Sequence, residues 1–147
     1  NTEKEFFTPG DNTITPFNWR GISLGLLICF DHMFPEAARS LALQGAQIIC
    51  HPSNLVLKEY AQLTTRVRSI ENRVFWVLAN RIGSEQSLEF TGRSQITDES
   101  GLLLASAQHD STTLKSAVID PQRAVIKHLN DRTHLFDDRV PQYYSKG

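Results

Sequence analysis

The chain has little cysteine, a single methionine, no long apolar run and no excess of either charge. Fifteen lysines and arginines stand against 16 aspartates and glutamates, a formal net charge of −1 over 147 residues. So even a balance makes no broad field, which argues against capture of nucleic acid or of an anionic membrane surface. The longest apolar stretch, Leu24 to Phe30, falls far short of the roughly 20 residues a membrane span needs, and no charged-then-apolar signal segment opens the sequence. The expected partners are small molecules, with no nucleic acid and no membrane, and the expected location is the cytoplasm. Only Cys29 and Cys50 carry thiols. Both close apolar runs in a chain without secretory features, so free thiols are expected rather than a disulfide. A Cys-x-x-Cys pair is missing, which removes the basis for a thiol redox domain. The five histidines, His32, His51, His109, His128 and His134, show no pairing at metal-ligand spacing with Cys or carboxylates, so no metal is expected.

What is present reads as an ordinary α/β chain, one domain over residues 1–147. Residues 1–18 hold Pro9, Gly10, Asp11, Asn12 and Pro16 and are expected as a loop. From Gly21 an apolar strand runs to Cys29. Pro35 suits the first position of a helix whose apolar face is Phe34, Ala37, Ala38, Leu41 and Ala42, and Gly45 stops it. Ala46–Cys50 is a second strand, expected to end where Pro52 would break a central ladder. Strand, helix, strand implies a parallel crossover. A second helix is expected from about Lys58 to Arg73, on the spacing of Tyr60, Leu63, Val67, Ile70 and Val74, with Arg66, Arg68 and Glu71 on a charged face. The strand Phe75–Asn80 follows. Gly92–Asp98, Leu102–Ala107 and Leu114–Asp120 read as short antiparallel strands, and Arg132–Gly147 as a tail without periodicity.

Chemistry concentrates at the first crossover. A thiol attacks as its thiolate, and the end of a strand before a helix favours that form. Cys29 sits there, and the neighbouring Phe30 amide could donate to an oxyanion. Taken alone, a strand-end cysteine reads first as a small buried apolar group, and that is also the reading for Cys50. Asp31 reads as a turn residue that binds backbone amides, and His32 as a surface residue of the same turn.

The string from Gly25 to Glu36, with Cys29-Phe30-Asp31 at its centre and Pro35-Glu36 at its end, resembles the cysteine motif of the nitrilase superfamily of carbon-nitrogen hydrolases. Ala37–Ile49, His51-Pro52-Ser53-Asn54, Glu71-Asn72 with Ala79-Asn80-Arg81, and Phe90-Thr91-Gly92-Arg93-Ser94 match the same family in order and spacing. The resemblance covers about Glu3 to Asp120. It implies an α-β-β-α sandwich built from parallel crossovers followed by antiparallel hairpins. It also implies hydrolysis of a linear amide or carbamoyl compound, less readily a nitrile, through a thioester on Cys29 and without a cofactor. Phe30, Asp31, Ser53 and Asn54 would lie around the substrate and its oxyanion. Glu5, before the segment Phe6-Phe7-Thr8-Pro9-Gly10, matches the family's second glutamate. The family's general-base Glu and its Lys would fall before Asn1, since Lys4 adjoins Glu5 at the wrong spacing, so the chain resembles the C-terminal half of such an enzyme. A homodimer or larger homo-oligomer is expected. The alternative is a non-catalytic α/β interaction domain of the same fold.

Overall fold

The structure, a computed structural model, describes residues 3–144. A one-turn helix, α1 (Glu3–Phe6), precedes an irregular stretch and the short strand β1 (Phe17–Trp19). β1 turns back through Arg20 and Gly21 to pair antiparallel with β2 (Ile22–Leu26). The reading of residues 1–18 as loop is thus corrected at both ends. The short strand escaped notice because its three residues are too few to show a period.

A 3₁₀ turn (Cys29–Met33) leads into α2 (Pro35–Leu43), with proline at the start and Gly45 at φ +89° just past the end. That angle belongs to the left-handed region, which glycine enters without a Cβ clash. The chain then enters β3 (Ile48–Ser53), α3 (Tyr60–Asn72) and β4 (Phe75–Asn80). β2, β3 and β4 are parallel neighbours, as the strand-helix-strand order requires. Two hairpins follow: β5 (Ser84–Glu85) with β6 (Leu88–Glu89), and β7 (Gln95–Thr97) with β8 (Leu103–Ser106). A last hairpin joins β9 (His128–Asn130) to β10 (Thr133–His134), and its second strand lies in the stretch from Arg132 that showed no period. The main sheet has the order β1-β2-β3-β4-β7-β8 and is mixed, with β7 antiparallel to β4. No helix among the described residues is long and apolar enough to cross a membrane.

Both long helices pack together, and α3 also touches β4 and β7. The core lies between helices and sheet and contains Leu27, Ala38, Leu41, Ile49, Trp76 and Leu78. Gly25 is required there by contact, because a Cβ would stand 2.6 Å from Ile49 Cδ1 and 2.9 Å from Leu41 Cδ1. On the opposite face Phe17, Trp19 and Leu26 are about half exposed, whereas Leu24, Ile48 and Val77 are partly covered and Phe75 is fully buried. Among the described residues the sheet therefore has a helix layer on one face and an apolar second face that is bare mainly along β1 and the end of β2.

Four expectations change. β2 ends at Leu26, three residues before Cys29. β3 runs through Pro52, which pairs with Ala79 of β4. The ladder to β2 ends at Cys50, so on that side the strand is an edge at Pro52 and a missing N–H is tolerated. The orientation of α3 is inverted: Tyr60, Leu63, Val67 and Ile70 are exposed, and Ala61, Thr65, Ser69 and Asn72 are buried. Small side chains let the helix approach the sheet closely, and their polar atoms find partners there. Ser69 bonds Thr97 at 2.8 Å, and Gln95 donates to Thr65 Oγ1 at 2.8 Å. Finally, Leu114–Asp120 joins no sheet, and Leu114 and Val118 are fully exposed.

Candidate functional site

The parallel strands all point their C-terminal ends the same way, and the candidate groups gather at those ends. Beyond β2, Leu27 still donates to the Cys50 carbonyl at 3.1 Å, and the chain then turns sharply at Cys29. Cys29 has φ +47°, a left-handed conformation that costs a non-glycine residue on the order of 1–2 kcal/mol. Such strain persists only where the surroundings hold it. Here Asp31 supplies the hold: its Oδ2 accepts the Ile28 N–H at 2.8 Å, while its own N–H donates to the Ile28 carbonyl at 3.0 Å. The Phe34 N–H then donates to the Asp31 carbonyl at 3.1 Å.

The second hold comes from below. His51 on β3 has the same parity as Ile49, points into the core and is only 1% exposed. Its Nε2 lies 2.8 Å from the Cys29 carbonyl oxygen. A carbonyl only accepts, so Nε2 carries the proton and Nδ1 the lone pair. Nδ1 is buried without a partner among the described residues. Burial pushes the His51 pKa down from its ordinary value, so the ring is neutral near pH 7. Ser53 Oγ stands 3.1 Å from the same Nε2.

His32 corrects the sequence reading. It is 2% exposed rather than a surface residue, because the 3₁₀ turn rolls it inward against α3, where Nδ1 meets Thr64 Oγ1 at 2.7 Å. Its ring centroid is 5.7 Å from that of His51. Burial, together with the neighbouring His51 and Arg68, lowers its pKa to about 4. Phe30, by contrast, is half exposed and meets Phe34 edge to face at 5.6 Å.

The loop after β3 is clamped by residues of two other matched segments. Asn80 Oδ1 accepts the Leu55 N–H at 2.9 Å, and Asn80 Nδ2 donates to Thr91 Oγ1 at 3.0 Å and to the Gly92 carbonyl at 2.6 Å. The Arg81 N–H donates to the Ser53 carbonyl at 2.9 Å. This clasp fixes the chain on either side of Asn54, whose side chain is exposed.

The structure thus joins Cys29, Asp31, His51 and Ser53, with Phe30 beside them and Asn54 at the rim. It does not join Glu5. That residue lies exposed on α1, and among the described residues it makes no hydrogen bond or ion pair. Cys29 Sγ likewise makes no hydrogen bond among the described residues. Both cysteines are free and half-buried. No group of three or more His, Cys, Asp or Glu among the described residues could hold a metal ion. Sequence reasoning missed His51 and His32 as buried groups. Period-2 parity with Ile49 identifies His51 once β3 is allowed to run past Pro52.

Comparison with known proteins agrees with the family resemblance. Residues 1–126 match the family model described as carbon-nitrogen hydrolase. A nitrilase of Pyrococcus abyssi is 41% identical over 142 residues, covering 97% of this chain and 54% of the relative. An N-carbamoylputrescine amidase of Arabidopsis thaliana is 31% identical, over 97% of this chain and 52% of that protein. A solved structure of a mutant of the Nesterenkonia sp. AN1 amidase, with acrylamide added to its active-site cysteine, superposes with a TM-score of 0.71. It is 31% identical and covers 75% of this chain and 44% of that one. The chain spans about half the length of the curated relatives it matches.

Proposed function

The chain belongs to the carbon-nitrogen hydrolase family, within the nitrilase superfamily, and from that premise we propose that Cys29 is the nucleophile of a hydrolase acting on a linear amide or carbamoyl compound. One observation carries this reading: the strained backbone at Cys29, held by Asp31 from one side and His51 from the other. Strain maintained by converging hydrogen bonds is what a positioned nucleophile needs and what a filler thiol does not.

In this reading Sγ attacks the carbonyl carbon and a C–S bond forms. The carbonyl π electrons move onto oxygen, which the Phe30 N–H receives. As the tetrahedral species collapses the C–N bond breaks, and the nitrogen takes a proton and leaves as ammonia or an amine. Water then cleaves the thioester, releasing the acid and restoring the thiol. A general-base carboxylate and an ammonium group at the oxyanion complete the site that the family resemblance implies. The acrylamide adduct on the active-site cysteine of the Nesterenkonia amidase supports assigning electrophile capture to a cysteine of this fold, for which Cys29 is our candidate. The names nitrilase and N-carbamoylputrescine amidase among the relatives support a small C–N substrate. The exposed stripe Tyr60, Leu63, Val67 and Ile70 supports association of the protein into a homo-oligomer.

A second reading, an interaction module without turnover, is favoured by the isolation of Glu5 from the Cys29 turn. The decisive experiment is trapping. Incubation with an amide or carbamoyl substrate, acid quench and peptide mass spectrometry are expected to show ammonia release and an acyl adduct confined to Cys29. Ammonia release without an adduct on Cys29, or neither signal with any substrate, would count for the second reading.

A further inference from the structure

The Cys29–Phe30 peptide links the two halves of the proposed chemistry, since its carbonyl belongs to the nucleophile and its N–H to the following residue. A trans peptide is planar, so C=O and N–H point in opposite directions. Among the described residues the backbone contains no cis bond. The Cys29 carbonyl is drawn inward by His51 Nε2 at 2.8 Å, from a side chain 1% exposed and walled by Trp76, whose ring lies edge-on at 5.6 Å. The Phe30 N–H must then face away from the core. Among the described residues it donates to no acceptor, although its neighbours Ile28 and Asp31 both use theirs.

His51 is not a packing residue with an incidental bond. An apolar side chain in that position would leave no buried Nδ1 without a partner. The orphaned ring nitrogen is tolerated in exchange for one directed donor. With Nε2 carrying the proton, Ser53 Oγ at 3.1 Å can only accept from it, as a second and longer acceptor beside the Cys29 carbonyl at 2.8 Å.

The geometry points to His51 as a positioning residue that aims the Phe30 N–H at the carbonyl oxygen of the substrate. This rests on Cys29 being the nucleophile. It assigns to His51 no proton transfer and no contact with substrate: it acts through the peptide plane.

The test compares two reactions of the same sulfur. With p-nitrophenyl acetate, the Cys29 thiolate adds to a carbonyl carbon, an oxyanion forms, and p-nitrophenolate leaves with the C–O electron pair. With iodoacetamide the thiolate displaces iodide from a CH₂ carbon, and no oxyanion forms. In the protein, His51→Leu is expected to slow the p-nitrophenolate burst by about tenfold or more, given that losing one oxyanion donor slows acyl transfer by roughly 10²–10³. Iodoacetamide labelling of Cys29 is expected to stay close to the wild-type rate. His51→Gln, which keeps an N–H donor of similar reach, is expected to recover most of the burst. If His51→Leu does not fold, as read by its thermal melt, His51→Asn takes its place, its amide nitrogen being one bond short of the carbonyl. Equal slowing of burst and alkylation in the donor-deficient variant, or no slowing of either, would overturn the proposal. Cys29→Ala separates the two levels. If it leaves the burst unchanged, the nucleophile assignment itself fails. If it removes the burst while the His51 variants leave the ratio of the two rates unaltered, only the role of His51 fails.

Discussion

Two thiols sit on neighbouring strands of one sheet, yet their surroundings differ in kind. Cys50 lies within β3, opposite Leu26 of β2 and Val77 of β4, in ordinary extended backbone on the face that the helices do not cover. Burial pushes its thiol pKa up, away from the thiolate. Cys29 lies where β2 has already ended, at φ +47°, with Asp31 and His51 each holding a neighbouring backbone group. The degree of exposure does not separate them, for both are half-buried. What separates them is backbone geometry: a regular ladder needs nothing to maintain it, and a left-handed cysteine needs several converging bonds. Free cysteines in a sheet are therefore told apart by the conformation they are held in rather than by how much surface they show.

The largest expected asymmetry is in turnover. Cys29→Ala is expected to abolish amide hydrolysis by the protein, a loss of at least about a thousandfold, since the other thiol, Cys50, lies in a regular strand and is held protonated by burial. Cys50→Ala is expected to leave the rate nearly unchanged. Ammonia release measured on both variants checks this, and comparable losses would erase the distinction.

A smaller effect concerns pH. The Cys29 turn rests on His32, with His51 packed beside it from β3, Arg68 from α3 and Asp31 in the turn itself. The folded pKa of His32, about 4, lies below its ordinary 6.5. Between those values the unfolded chain binds a proton that the folded chain refuses, so stability is full above about pH 6.5 and falls as the pH drops toward 4. The loss attributable to this residue is about 2–4 kcal/mol. Urea unfolding at pH 7 and pH 4.5 is expected to show a larger drop for the wild type than for His32→Gln. Equal drops would mean that His32 does not couple the turn to pH.

Much of this was legible in the residues because it depends on local patterns. Pro35 and Gly45 bound α2 as helix start and stop signals do, and the run Phe75–Asn80 forms β4 with those limits. The crossover order made β2 and β3 parallel, and the ordered motifs placed Cys29 and Ser53 at strand ends facing the same way. What was not legible depends on neighbours. α3 buries Ala61, Thr65 and Ser69 instead of its apolar stripe, because close contact with β4 and β7 is decided by the sheet and not by the helix's own spacing. His32 turns inward because α3 offers it Thr64. Pro52 stays in a strand because β2 stops two residues earlier in the register. Leu114–Asp120 carries Leu114, Val118 and Ile119 as a short strand would, yet joins no ladder among the described residues, so its apolar residues had no partner strand to realise the expectation.

The comparison of the two thiols is tested most directly by acrylamide labelling followed by peptide mass spectrometry, with Cys29 and Cys50 read in the same sample near neutral pH. Cys29 is expected to be modified well before Cys50, because one thiol is positioned at a strand end and the other is held protonated by burial. Equal rates, or modification of Cys50 first, would contradict the assignment of Cys29 as the nucleophile.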